Sequence, residues 1–191
     1  MSESVDQHVW RAMGSRRVAE NPWFSVHAED VLLPNGRQDV YHTVRFANEA
    51  VGVVARQADQ YLLIHQYRYV IGRFVWGIAA GGISEGETAA AAASRELLEE
   101  TGYRAASLRE LVSFYPSVGT IDQKFTVFLA DGVMKEHDSF DTDEVIEIRW
   151  FSRQELLTLI AANGMVDGMA LGPLMMALFE TELCLDPENA P

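Results

Sequence analysis

Between Gly81 and Tyr103 the chain gathers residues able to do metal-assisted chemistry: Gly81, Glu87, then Arg95-Glu96-Leu97-Leu98-Glu99-Glu100-Thr101-Gly102-Tyr103. Positions three and four apart in an α-helix share a face, so Glu96, Glu99 and Glu100 project together. Three carboxylates at that spacing repel one another unless a cation sits among them, and a hard divalent ion such as Mg²⁺ takes oxygen ligands. An isolated Glu-Glu pair would read as a solvated helix face braced by an i, i+4 contact such as Arg95 to Glu99. Seven positions fixed in identity and distance arise by chance at roughly 10⁻⁸ per start site, at about one residue in fifteen each. The cluster is therefore read as a metal site.

Gly, five residues, Glu, seven residues, then Arg-Glu-Leu-x-Glu-Glu-x-Gly-Tyr resembles the Nudix box, with every defining position matched. In that family the box is a loop-helix-loop that binds Mg²⁺ or Mn²⁺ and hydrolyses a nucleoside diphosphate linked to another moiety. The resemblance implies that Glu96 and Glu100 are the main metal ligands. It makes Glu99 a further ligand or water-orienting carboxylate, and the carbonyl of Ala80 an additional metal contact. Arg95 and Glu87 match the pair that braces the loop and helix, and Arg95 is grouped with Glu99 and Glu144 in the catalytic set.

Beyond the box the resemblance runs toward the ADP-ribose and nucleoside diphosphate sugar pyrophosphatases. Arg68, in Gln66-Tyr67-Arg68, is similar to the arginine those enzymes present to substrate phosphates. Gly81 and Gly82 suit a backbone that turns sharply and approaches phosphate closely. Trp23, in Asn21-Pro22-Trp23-Phe24, and Tyr41 resemble the aromatics that flank the base, one from each subunit of a homodimer; the alternative is that both are hairpin core residues. The stretch Asp138 to Glu147 resembles the loop carrying the catalytic base, with Glu144 at the matching place and Asp143 and Glu147 as fallbacks. One position departs: where ADP-ribose pyrophosphatases carry a proline sixteen residues after the box glycine, this chain has Val118. GDP-mannose or a UDP-sugar therefore stays open as substrate.

The rest of the chain bounds these readings. With 191 residues, 28 acidic against 15 basic side chains and a net charge of −13, it suits one continuous domain with an N-terminal appendage. No Lys/Arg-rich run could follow a nucleic-acid backbone, so the expected partner is a small nucleotide sugar whose charge the metal accommodates. No apolar stretch approaches a membrane span, and the polar start MSESVDQHVW is unlike an export signal. A lone Cys184 agrees with a reducing compartment, and the expected location is the cytoplasm. A dinucleoside polyphosphate or RNA 5′-end hydrolase is disfavoured by the aromatic N-terminal segment and the lack of basic patches. A non-catalytic Nudix-fold binding module is disfavoured because every box glutamate is kept.

The elements that must position these groups are legible in outline. Phe24 to Leu33 and Gln38 to Phe46 flank the turn signal Pro34-Asn35-Gly36 and predict an N-terminal β-hairpin. Ala50 to Ala55, Gln60 to Gln66 and Phe74 to Ala79 read as short strands, after which Gly81 and Gly82 break the pattern. A helix is expected over Thr88 to Glu100 with Gly102 as its left-handed stop. Strands follow at Leu108 to Tyr115, Lys124 to Leu129 and Val145 to Phe151. Ser152 to Glu155 form a capping box opening a helix through Ala162, stopped by Asn163-Gly164. A last helix spans Ala170 to Leu183, with Pro173 tolerated only in its first turn. The expected fold is α/β, the family's α/β/α sandwich with a mixed sheet and an N-terminal β-hairpin extension. Its divisions are 1–48 (dimerisation and base binding), 49–184 (the Nudix domain) and 185–191 (a C-terminal tail).

Overall fold

An Asn-Gly turn between two strands rich in β-formers organises the first unit. The computed structural model describes residues 8–183; Cys184 and the expected tail lie outside them. Strands β1 (Arg11–Glu20), β2 (Phe24–Leu32) and β3 (Gln38–Phe46) form an antiparallel three-stranded sheet in that order. Gly36, at φ 81°, takes the left-handed conformation that the β2–β3 turn requires. Its amide donates to the Leu33 carbonyl at 2.9 Å. The hairpin matches its expected bounds closely, whereas β1 was not expected. RAMGSRRVAE is almost wholly exposed and is interrupted by register shifts at Ala12/Gly14 and Arg17/Ala19. It therefore carries no alternation of apolar and polar residues to read. The connection Tyr115–Lys124 belongs to the same unit. It is fixed there by Val44 N–H donating to the Thr120 carbonyl and Asp122 N–H donating to the Val44 carbonyl.

The second unit runs from Ala50 to Phe114 and resumes at Phe125. Its strands are β4 (Ala50–Gln57), β5 (Gln60–Arg68), β6 (Arg73–Gly77), β7 (Ala79–Gly82), β8 (Tyr103–Phe114), β9 (Phe125–Lys135) and β10 (Val145–Ser152). They form one seven-stranded sheet ordered β10-β5-β4-β9-β8, with β6 paired to β5 and β7 to β4. The β4–β9 pair is parallel and the others antiparallel, which makes the sheet mixed. Helix α1 (Ala89–Thr101) covers one face; α2 (Arg153–Ala161) and α3 (Gly168–Leu183) contribute to the core on the other. Strand β4 shows why its sequence is a continuous apolar run. Val51, Val53 and Ala55 pack with Ala92, Ala93 and Leu97 of α1, while Ala50 and Val54 join Leu156 of α2 and Leu174 and Leu178 of α3.

Local chemistry sets the helix ends. Thr88 caps α1 by accepting from Ala91 N–H at 3.2 Å, and Gly102, at φ 72°, ends it with its N–H on the Leu98 carbonyl. The capping box at α2 is complete, with Ser152 and Glu155 satisfying each other's amides. Two expectations are corrected. Gly81 and Gly82 do not interrupt the sheet but lie in β7, hydrogen-bonded along β4, because neither takes a positive φ. Helix α3 begins at Gly168, which puts Pro173 in the second turn, where its missing N–H removes a ladder bond. The apolar packing of Ala170, Leu174, Ala177 and Leu178 holds the helix through it.

Candidate active site

The helix α1 spacing does place Glu96, Glu99 and Glu100 together, but burial separates their roles. Glu100 is only 5 % exposed, and its Oε2 accepts the Ala80 N–H at 2.9 Å. This bond sets the start of β7, and with it the Ala80 carbonyl, beside the buried carboxylate. Glu96 is half-buried, while the Glu99 side chain is 56 % exposed at the open side of the cluster.

Arg95 holds the loop Gly82–Glu87 to the helix. Its Nε and Nη2 donate to the two Glu87 oxygens at 3.0 Å each, and Nη2 donates also to the Gly82 carbonyl at 3.0 Å. Nη1 reaches Glu96 Oε1 at 2.7 Å and Glu99 Oε2 at 3.1 Å. A guanidinium has five N–H donors, and these contacts engage all of them. Its pKa is raised above the ordinary arginine value, first by the Glu87 hydrogen bonds, and Glu87 is correspondingly lowered. Arg95 is thus a brace.

Gly81 has a reason the sequence could not show. A Cβ added there would lie 2.0 Å from Glu96 Oε1 and 2.2 Å from its Cδ, so the Glu96 carboxylate occupies the space a side chain would need. At Gly82 an added Cβ meets nothing within 4 Å. The first glycine is required by the glutamate fifteen residues later and the second is not required by the protein's own packing.

Two groups outside the box come to it. Burial pushes the Glu100 carboxyl up to about 8, opposed by the Ala80 N–H and augmented by the charges of Glu96 and Glu144, with Arg68 acting in the lowering direction. Glu96 is likewise raised, first by burial, with Arg95 opposing it and Glu99 and Glu144 adding to the rise. Glu144 and Arg68 are therefore within electrostatic reach of the box carboxylates. A cavity of about 380 Å³ is lined by Gln66, Tyr67, Arg68, Tyr69, Val70, Asp143 and Glu144. The loop carrying Glu144 is anchored to α1, because Asp141 N–H donates to the Glu99 carbonyl at 3.1 Å and the Asp141 carbonyl accepts Val145 N–H at 2.9 Å. Asp143 lines the same cavity, while Glu147 turns to His65 at 3.7 Å.

Trp23 and Tyr41 lie in the first unit, and neither is in its core. Trp23 is 72 % exposed. Tyr41 packs edge-on against Trp10 with ring centroids 5.5 Å apart, and its hydroxyl donates to the Gly119 carbonyl. Trp10 was not anticipated, since it precedes a strand with no readable pattern. Val118, beside Gly119, is exposed.

The residues present fit a divalent ion: the donors are all oxygen, and a cation would stabilise the anionic form of a carboxyl that burial, and after it the neighbouring carboxylates, push up. Among the described residues no three His, Cys, Asp or Glu side chains stand in a ready metal-binding arrangement. Glu96 and Glu99 are instead turned onto Arg95.

The Nudix domain family matches residues 47–169, spanning the whole box, the sheet and α2. The chain belongs to the Nudix hydrolase family. Residues 10–44 match a second family, described as the nucleoside diphosphate sugar hydrolase N-terminal domain, which covers most of the three-stranded unit. Relatives include a CMP-5′-(N-acetyl-N-hydroxy-3-aminopropyl)phosphonate hydrolase of Streptomyces rubellomurinus, 31 % identical over 86 % of this chain and 81 % of that one. An ADP-ribose pyrophosphatase of Bacillus subtilis is 29 % identical over 82 % of this chain and 89 % of its own. The ADP compounds hydrolase NudE of Escherichia coli is 31 % identical over 70 % and 73 %. A crystal structure of an ADP compounds hydrolase superposes with a TM-score of 0.79 at 24 % identity, covering 94 % of this chain and 96 % of that one, and so shares the Nudix fold.

Proposed function

We propose that this Nudix enzyme hydrolyses the pyrophosphate bond of ADP-ribose or a related nucleoside diphosphate sugar, yielding a nucleoside monophosphate and a sugar phosphate. Mg²⁺ is the proposed cofactor, with Mn²⁺ able to replace it. The observation that carries the reading is the buried Glu100, held by the Ala80 N–H on the helix face it shares with Glu96, together with the cavity that Arg68 and Glu144 line. That set combines cation ligands, a carboxylate outside them and an arginine, which are the parts that pyrophosphate cleavage calls for. The names of the Bacillus subtilis and Escherichia coli relatives and the match of residues 10–44 support the substrate class.

Glu96, Glu99, Glu100 and the Ala80 carbonyl would hold the ion, which when bound neutralises charge on the diphosphate and acidifies water. Glu100 is the ligand fixed in place, since Ala80 N–H orients it. Glu99, exposed and held by a single contact to Arg95, is free to orient water. Glu144, exposed at the cavity and not committed to a hydrogen bond with Arg95, takes the proton of the attacking water. Arg68 binds a phosphate oxygen, and its planar fork suits that task. Arg95 positions Glu96 and Glu99 without meeting substrate, while Gly82 presents open backbone to the diphosphate. Trp23 and Tyr41 stack on the base, and the exposed Trp10, Met13 and Val18 around β1, whose outer edge pairs with no strand among the described residues, support a homodimer.

The base and sugar are set outside the box. Val118 in place of proline, together with a relative named for a CMP-linked phosphonate, favours a second reading in which GDP-mannose, a UDP-sugar or another nucleotide conjugate is preferred. The deciding experiment assays nucleoside diphosphate sugars and dinucleotides with Mg²⁺ and with Mn²⁺, resolving products by chromatography. Cleavage of ADP-ribose to AMP and ribose 5-phosphate at the highest kcat/KM supports the first reading. Cleavage of none of the panel refutes the proposal.

A further inference from the structure

Arg68 lines two cavities. One is the 380 Å³ cavity that holds Asp143 and Glu144; the other, of about 260 Å³, is walled by Val70, Ile71, Val75, Val166 and Met169 and contains Asp167. Asp167 Oδ2 lies 3.5 Å from the Arg68 guanidinium, with side-chain exposures of 15 % and 39 %. Asp167 is tied to its own helix start. Its Oδ1 accepts Met169 N–H at 3.0 Å, and its carbonyl accepts Ala170 N–H at 3.2 Å and Leu171 N–H at 2.9 Å, so the first turn of α3 pins it. Gly77, buried in β6, borders the carboxylate: an added Cβ would stand 3.4 Å from Asp167 Oδ2, an ordinary van der Waals contact.

In the larger cavity Arg68 stands among carboxylates that attract it, because Asp143 and Glu144 line the same space. An arginine free to choose would settle on those anions, engaging its own donors with their acceptor oxygens. We propose that Asp167 is a positioning residue that holds Arg68 back from those carboxylates and leaves its remaining donors open to an anionic phosphate oxygen. The inference rests on the reading of Arg68 as a phosphate ligand. At 3.5 Å the pair is an ion pair without a short hydrogen bond, so it steers the guanidinium without saturating its donors. Asp167 thereby links the start of α3, an element with no other part in the site, to the phosphate-binding side of the cavity.

Asp167→Asn separates this role from helix capping, because Asn caps as well as Asp but carries no charge. The expected result, with saturating Mg²⁺, is a rise in KM for ADP-ribose of about tenfold, with kcat within about threefold and the melting temperature within about 2 °C. In an Arg68→Ala background the same change should move KM by less than about twofold, since the partner it restrains is gone. Asp167→Glu, which restores charge, should recover part of the loss. An unchanged KM in Asp167→Asn, or an equal rise in the Arg68→Ala background, overturns the proposal. Calorimetric binding of inorganic pyrophosphate with Mg²⁺ distinguishes this outcome from failure of the substrate reading. If wild type does not cleave ADP-ribose but Asp167→Asn weakens pyrophosphate about tenfold, the ion pair stands and only the substrate falls. Equal pyrophosphate affinity sinks the ion-pair role whatever the substrate.

Discussion

Gly81→Ala should disable the enzyme while leaving it folded. The new methyl carbon would stand 2.0 Å from Glu96 Oε1, 2.2 Å from Cδ and 2.5 Å from Oε2. Non-bonded carbon contacts lie at about 3.5 Å, so the carboxylate must retreat by more than about 1 Å. It can do so cheaply, being the far end of a flexible side chain. The stability lost is the largely buried contact between Glu96 and Arg95, about 1 kcal/mol, since Arg95 keeps its bonds to Glu87. Removing a glycine's freedom from the unfolded chain returns about 0.4–1 kcal/mol at a site of ordinary φ. The two nearly cancel, and the melting temperature should shift by less than about 4 °C. Activity has no such compensation, because displacing a catalytic group by about 1 Å costs about 10²-fold. The assay is kcat for ADP-ribose at saturating substrate and Mg²⁺, beside thermal unfolding and circular dichroism. Gly82→Ala is the control: its Cβ meets no protein atom within 4 Å, so kcat should stay within about threefold and any effect should fall on KM. A wild-type kcat in Gly81→Ala, or equal losses in both variants, would refute the claim that this glycine exists to seat Glu96.

Glu100→Gln should lower kcat by orders of magnitude while preserving the Ala80 hydrogen bond, and it should also change the pH dependence of stability. A carboxyl raised from 4.5 to about 8 holds its proton more tightly in the folded state, so its stabilising contribution is full below pH 4.5 and is lost as pH climbs through 8. In EDTA, wild type should lose melting temperature across that window while Glu100→Gln stays flatter and is the more stable above pH 8; parallel curves would contradict the burial argument. Glu144→Gln should depress kcat far more than it raises KM, and a change confined to KM in steady-state kinetics would move the base elsewhere. Trp23→Ala, at a residue 72 % exposed, should leave the melting temperature unchanged and weaken ADP-ribose by about tenfold if the indole stacks on the base. Unaltered affinity by calorimetry would remove it from the site.

The reaction class was legible because it rests on groups close in sequence. Glu96, Glu99 and Glu100 share a helix, and the helical repeat alone brings them together. The stop of α1 and the cap of α2 are readable for the same reason, since Gly102 and the Ser152–Glu155 pair act within a turn or two, whereas Thr88, expected inside α1, caps it instead. Strand β1 was not readable, because its exposed side chains leave no alternation and only pairing with β2 makes it a strand. The start of α3 was missed by two residues, as apolar packing overrides the proline that local rules would place in the first turn.

What the chain alone determined is therefore a Nudix helix with its carboxylates, and the need of those carboxylates for a cation. Only the tertiary structure decided which of them is buried, since Glu100 is desolvated by the sheet that α1 covers and not by anything adjacent in sequence. It also decided that Gly81 makes room for Glu96, that Arg95 spends all its donors as a brace, and that Asp167 faces Arg68 from ninety-nine residues away. Volume exclusion, desolvation and charge act between atoms that share space, and for these residues that proximity exists only once the sheet has formed.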